Sequence, residues 1–87
     1  MATTKLKEAR RAAGMMQKEL ADAAGLPLRT LQHYEQGRRN LDGAALDTIL
    51  NLCIALRCTP DQLVDNPEVV DLWRRFRDMI RLIEENM

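Results

Sequence analysis

The stretch QKELADAAGLPLRTLQHYEQGRR, Gln17 to Arg39, decides the fold. Two short runs of helix-compatible residues flank a single glycine, Gly25. In the first run Leu20, Ala21 and Ala24 recur on one side of a helix, and in the second Leu31 and Tyr34 do the same. Gly25 suits a left-handed C-terminal cap. Pro27 stands at or just before the next helix, where its missing N–H costs little. Gly37 ends the second run. The spacing predicts a helix over 16–24, a tight turn and a helix over 27–36. With Leu31 and Tyr34 inward, Arg29, Gln32 and His33 lie on the outward side.

Working outward, Thr4 is placed to cap a helix over 5–13, with Leu6, Ala9 and Ala13 on one face and Gly14 as its stop. Arg38 to Gly43 reads as a polar loop. A helix over 44–56 is expected next, with Leu46, Ile49, Leu50, Cys53 and Leu56 at helical spacing. Thr59-Pro60-Asp61-Gln62 has the form of a capping box with proline at the first helical position, opening a short fifth helix through Leu63 and Val64. Asn66-Pro67-Glu68 repeats that logic for a last helix over 67–85. No strand pattern, repeat or low-complexity linker is present. The expectation is an all-α chain in two parts, 1–66 and 67–87.

At 87 residues, the chain holds one domain at most, with a small core that a partner subunit can reinforce. Aromatic residues are few (Tyr34, Trp73, Phe76), so the core must be aliphatic. Net charge is zero but uneven. Residues 1–40 hold eight Lys or Arg against four Asp or Glu, and residues 41–87 hold five against nine. A zero total therefore does not exclude nucleic acid, because binding follows the local field of the docking face. Cys53 and Cys58 have no second pair and no useful histidine, and read as small buried hydrophobes with no metal site. No apolar run approaches the roughly 18 residues of a membrane span. The start, MATTKLKEARR, lacks the apolar core of a signal peptide. A cytoplasmic, nucleoid-associated protein of bacterial or phage origin is expected.

Two short helices on a glycine turn form a helix-turn-helix, and the surrounding residues make the resemblance specific. Arg10 and Gly14, Gln17-x-Glu19-Leu20-Ala21, Gly25-Leu26 and Leu31-x-x-Tyr34-Glu35-x-Gly37-Arg38-Arg39 occur in order. Leu52, Ala55-Leu56 and Thr59-x-Asp61-x-Leu63 follow. From Leu6 to about Asp65 the chain resembles the Xre- or Cro-type DNA-binding family of phage-repressor-like fold. The resemblance implies a compact five-helix domain that inserts its third helix into the DNA major groove. The last helix is then an addition to it.

The outward residues fit that use. Arg29 can donate twice to guanine O6 and N7, Gln32 can bridge adenine N6 and N7, Leu28 can meet a thymine methyl group, and His33 can reach a base edge. Gln17 holds the family position at the start of the second helix, where side chain and backbone N–H groups can grip a phosphate. Thr30, Arg38, Arg39 and Asn40 are further phosphate candidates. Arg10 and Glu35 match positions that form a structural ion pair in the family. Four departures stand out: Met16 replaces a capping Thr or Ser, Pro27 replaces another, Arg57 stands where the family has glycine, and the loop from Arg38 to Gly43 is longer than usual.

In PEVVDLWRRFRDMIRLIEENM, residues 67–87, Val69, Trp73, Phe76, Ile80, Ile83 and Met87 recur in heptad-like spacing, widened by Leu72, Met79 and Leu82. Such a surface needs cover. A homodimer is expected, with Val69, Trp73, Phe76, Ile80 and Ile83 as its interface. The overall expectation is a repressor that reads an inverted repeat of double-stranded DNA. The alternative is a protein-interaction module, such as an antitoxin whose last helix grips a toxin. The lone histidine, His33, has no paired nucleophile, and neither an enzyme nor a cofactor is indicated.

Overall fold

The computed structural model describes residues 3–87; Met1 and Ala2, which open the stretch read for a leader, lie outside the described residues. The described residues form five α-helices and no strands: α1 (Lys5–Ala12), α2 (Gln17–Ala24), α3 (Leu28–Glu35), α4 (Leu46–Leu56) and α5 (Pro67–Glu85). Two 3-10 turns, Leu41–Gly43 and Pro60–Gln62, connect them. None of these helices is long and apolar enough to cross a membrane.

Local chemistry sets most of the boundaries. The Thr4 side chain accepts from Lys7 N–H at 3.3 Å, capping α1, and its hydroxyl donates to the Glu35 carbonyl at 3.0 Å, tying that cap to the end of α3. Met16 brings no capping oxygen. Only the returning half of a box forms at α2, with the Glu19 carboxylate accepting from Met16 N–H at 3.0 Å. Gly25 has φ 68°, and Leu26 N–H reaches back to the Ala21 carbonyl at 2.9 Å, closing the turn between α2 and α3. Pro27 is the residue before α3, which has no side-chain cap there.

Two expected elements come out differently. The fifth helix of the sequence pattern is a single 3-10 turn, Pro60–Gln62, in which Gln62 Oε1 accepts from Thr59 N–H at 3.0 Å. Lys5 Nζ then donates to the Asp61 and Val64 carbonyls at 2.7 and 3.0 Å. Those carbonyls bond a side chain from α1 and do not propagate a helix. The polar loop at Arg38 to Gly43 also contains structure. Leu41 is buried in the core, and the Asn40 side chain accepts from Asp42 N–H at 3.1 Å.

The core gathers Leu6, Leu20, Leu31, Leu52, Leu63 and Val64, all essentially solvent-free, with Tyr34, Leu41, Cys53 and Val70 around them. Each buried leucine contributes roughly 1.5–3 kcal/mol against leaving it in water. α2 is the central element and packs on both α4 and α3. That packing corrects the expected inner face of α4. Leu52 and Cys53 are buried and Ile49 and Leu56 half-buried, but Leu46 and Leu50 are exposed. Ala13 is exposed too, since it caps α1 and lies past its last turn. Arg57 ends α4 in the left-handed region, with φ 53° and ψ 49°, where a non-glycine side chain costs roughly 1 kcal/mol or more.

α5 begins with Asn66 capping Glu68 N–H at 2.9 Å and Pro67 in its first turn. It packs on the 3-10 turn Pro60–Gln62, and Val70 is its one buried residue. From Arg81 to Met87 every residue is exposed.

Candidate nucleic-acid interface

The site grows from a buried ion pair. Glu35, at the end of α3, is 4% exposed and Arg10 of α1 is 9% exposed. Arg10 Nε donates to Glu35 Oε2 at 2.7 Å, and a second guanidinium nitrogen donates to Oε1 at 3.0 Å. The remaining terminal nitrogen donates to the Met15 carbonyl at 2.8 Å, holding the turn that leads into α2. Such a pair is a geometric device more than a source of net stability, because desolvation offsets much of the attraction. It fixes α1, the α1–α2 turn and the end of α3 in one arrangement.

The network continues outward. Gln17, the first residue of α2, donates from Nε2 to Glu35 Oε1 at 3.2 Å and accepts from Gln32 Nε2 at 3.3 Å. The amide of Gln17 therefore has protein partners on both of its polar atoms, with one N–H still free to meet a phosphate.

Leu28, Arg29, Gln32 and His33 share one shallow surface concavity with Gln36 and Arg38. Leu28 and Arg29 are exposed, and Gln32 and His33 are half-buried. Thr30 is half-buried and lies off that concavity. The arginine pair divides. Arg38 lines the concavity beside Leu28, Arg29, Gln32 and His33. The Arg39 guanidinium sits over the Tyr34 ring, 5.2 Å from its centroid, in a different depression shared with Asn40 and Asp65. Asn40, moreover, already spends its side-chain oxygen on capping.

Three residues that the sequence pattern did not single out, Gln36, Lys7 and Arg11, line this region, together with Thr4, which it read only as a helix cap. Gln36 lines the concavity, and it follows Gln32 by four residues, the spacing that puts both on one helix face. Lys7 and Arg11 of α1, with the capping Thr4, line an adjoining depression with Gln36 and Arg38. The signal for Lys7 and Arg11 was their i,i+4 spacing, which places both cations on one side of α1.

The thiols stand apart from this face. Burial, with Cys58 beside it, pushes the Cys53 thiol up to about 12, and burial also raises Cys58. Both are free and protonated at neutral pH. The Asp61 carboxyl is held low by the Thr59 hydroxyl that donates to it.

The frame of buried pair, glycine turn and outward α3 is matched by a protein-family model described as helix-turn-helix, over residues 6–63. The chain belongs to the Xre-like helix-turn-helix family. Its members are DNA-binding regulators, not enzymes, and the chain is accordingly a DNA-binding transcription regulator. Among solved structures, the restriction-modification controller protein C.AhdI from Aeromonas hydrophila is similar. The two are 36% identical with a TM-score of 0.59, over 67% of this chain and 83% of the controller. No curated protein matches the chain. The helix-turn-helix family match ends at residue 63, before α5 begins at Pro67.

Proposed function

We propose that the protein is a repressor that binds an inverted-repeat operator as a homodimer, with α3 of each chain in the major groove. The observation that carries this reading is the single concavity on α3 where Leu28, Arg29, Gln32 and His33 meet Arg38. It puts two bidentate-capable side chains, a methyl-seeking leucine and a phosphate-seeking arginine within one groove-sized patch. Gln17, Thr30, Arg39 and Asn40 complete the proposed phosphate contacts, joined by Lys7 and Arg11. A dimer this small acts most simply by covering a promoter, hence repression. The likeness to a restriction-modification controller supports a similar setting, the control of restriction and modification genes.

The dimer is supported by a second surface, built from α4 and α5. Leu46 and Leu50 of α4 and Val69, Leu72, Trp73 and Phe76 of α5 line an open, wholly apolar groove. Leu46 is 70% and Leu72 60% exposed, a poor state for side chains of this kind in water. Ile80 and Ile83 lie beyond the groove and extend the proposed interface along α5. A toxin or other protein is the rival occupant.

Selection of bound duplexes from a random pool, read with the mass of the complex, tests both parts. The expected result is an inverted repeat carrying two chains, with half-sites about one helical turn apart. Arg29→Ala should then weaken operator binding by about 1–3 kcal/mol without changing the melting temperature. A site without symmetry, or Arg29→Ala binding as tightly as wild type, would overturn the reading. A small partner co-purifying on the α4–α5 groove would replace the homodimer.

A further inference from the structure

The polar network behind α3 has a direction, and the direction reaches the DNA-facing surface. A carboxylate can only accept hydrogen bonds. Glu35 Oε1 takes one from Arg10 at 3.0 Å and one from Gln17 Nε2 at 3.2 Å. Gln17 must therefore turn its NH2 group toward Glu35 and its carbonyl oxygen away. That oxygen accepts from Gln32 Nε2 at 3.3 Å. Gln32, in turn, has to face Gln17 with its NH2 group. Among the described residues nothing donates to Gln32 Oε1.

We infer that Arg10, Glu35 and Gln17 act as a relay that sets the orientation of the Gln32 amide, and with it the base Gln32 accepts. This rests on the proposal that α3 reads the major groove. A free glutamine can present either end of its amide, so it tolerates several bases. Here the NH2 end is tethered, and the outer surface receives the carbonyl oxygen and one spare N–H. That pair matches adenine, whose N6 amino group donates and whose N7 accepts. Guanine offers acceptors at both O6 and N7, and the O6 lone pairs would meet the fixed Gln32 oxygen. Gln32 is the residue that touches the base. Gln17 and Glu35 are positioning residues, and they discriminate against guanine from behind the recognition helix.

The test uses the full chain and its selected operator, with all four base pairs placed in turn at every position. Gln32→Ala locates the base pair that Gln32 reads. At that pair, wild type should favour adenine over guanine by about tenfold or more. Gln17→Met keeps the side-chain length and removes both bonds. It should bring the adenine-to-guanine ratio at that one pair to within about threefold, while preferences elsewhere hold. A loss of phosphate contact alone would lower affinity uniformly and leave the ratio intact, which would overturn the relay. If Gln32→Ala changes no base preference, the base-reading role of Gln32 fails, and the relay with it. If only the Gln17→Met ratio stays at its wild-type value, the relay fails alone. The free protein gives an independent readout by NMR. Gln32 side-chain amide protons should exchange slowly in wild type and at the rate of a solvated glutamine in Gln17→Met. Equal rates in the two proteins would also count against the relay.

Discussion

On the α1–α3 side, Arg10, Glu35, Gln17 and Gln32 are joined in an unbroken chain of hydrogen bonds. On the α4–α5 side, Leu46, Leu50, Leu72 and Phe76 stand in solvent and the Trp73 indole N–H is buried without a partner. The two sides face opposite problems. A DNA-reading surface has to be in place before the duplex arrives, because groups ordered on binding cost affinity. Its rigidity comes from a polar frame whose geometry tolerates few alternatives. An apolar association surface needs no such frame. Its affinity comes from area and fit, and until a partner covers it, it leaves hydrophobic groups exposed. One side of the molecule completes itself, and the other leaves an apolar groove open, which the proposed homodimer would cover.

Glu35→Ala attacks the self-contained side and has the largest expected effect. It strands the Arg10 guanidinium in the interior and should remove on the order of 3–5 kcal/mol of unfolding free energy in urea melts. A loss below about 1 kcal/mol would mean that Arg10 reaches water instead, and that the frame is not rigid. Phe76→Glu attacks the open side. Phe76 is 50% exposed, so the monomer should stay folded. Association of the proposed homodimer should weaken by about 2 kcal/mol, roughly thirtyfold, and the concentration dependence of the melting temperature should move to correspondingly higher concentration. Light scattering after gel filtration would check this, and an unchanged dimer would erase the contrast drawn here. The smallest effect is expected at Arg57→Gly, which relieves the left-handed backbone at the end of α4 and should add about 1 kcal/mol of stability on either side's account. No gain, read in the same urea melts, would mean that the arginine side chain makes up for its backbone strain.

The elements that were legible in the sequence are those whose cause is local. Gly25 can take φ 68° where other residues resist it, so the turn between α2 and α3 was visible in one residue. Leu20, Leu31 and Tyr34 were assignable to the core because their helices carry one apolar side each. α4 was not legible in this way. Leu46, Ile49, Leu50, Leu52, Cys53, Ile54 and Leu56 make it apolar nearly all round, and periodicity alone has no basis for choosing a side. Packing of α2 chose Leu52 and Cys53, leaving Leu46, Leu50 and Ile54 for the surface. The Thr59-Pro60 signal announced a helix start correctly but not its length, since an α-helix and a 3-10 turn begin alike.

The sequence by itself determined the all-α class, the helix-turn-helix and the identity of the outward residues on α3, because each depends on residues within a turn or two of one another. Only the tertiary structure decided how those residues are held. Gln17 meets Glu35 across 18 residues and Gln32 across 15, and Lys5 meets Val64 across 59. Bonds of that span exist only once the helices have packed, and their direction is set by which atom can donate and which can only accept. The same packing sent Arg38 to the α3 concavity and Arg39 onto Tyr34, although the two are neighbours in the chain.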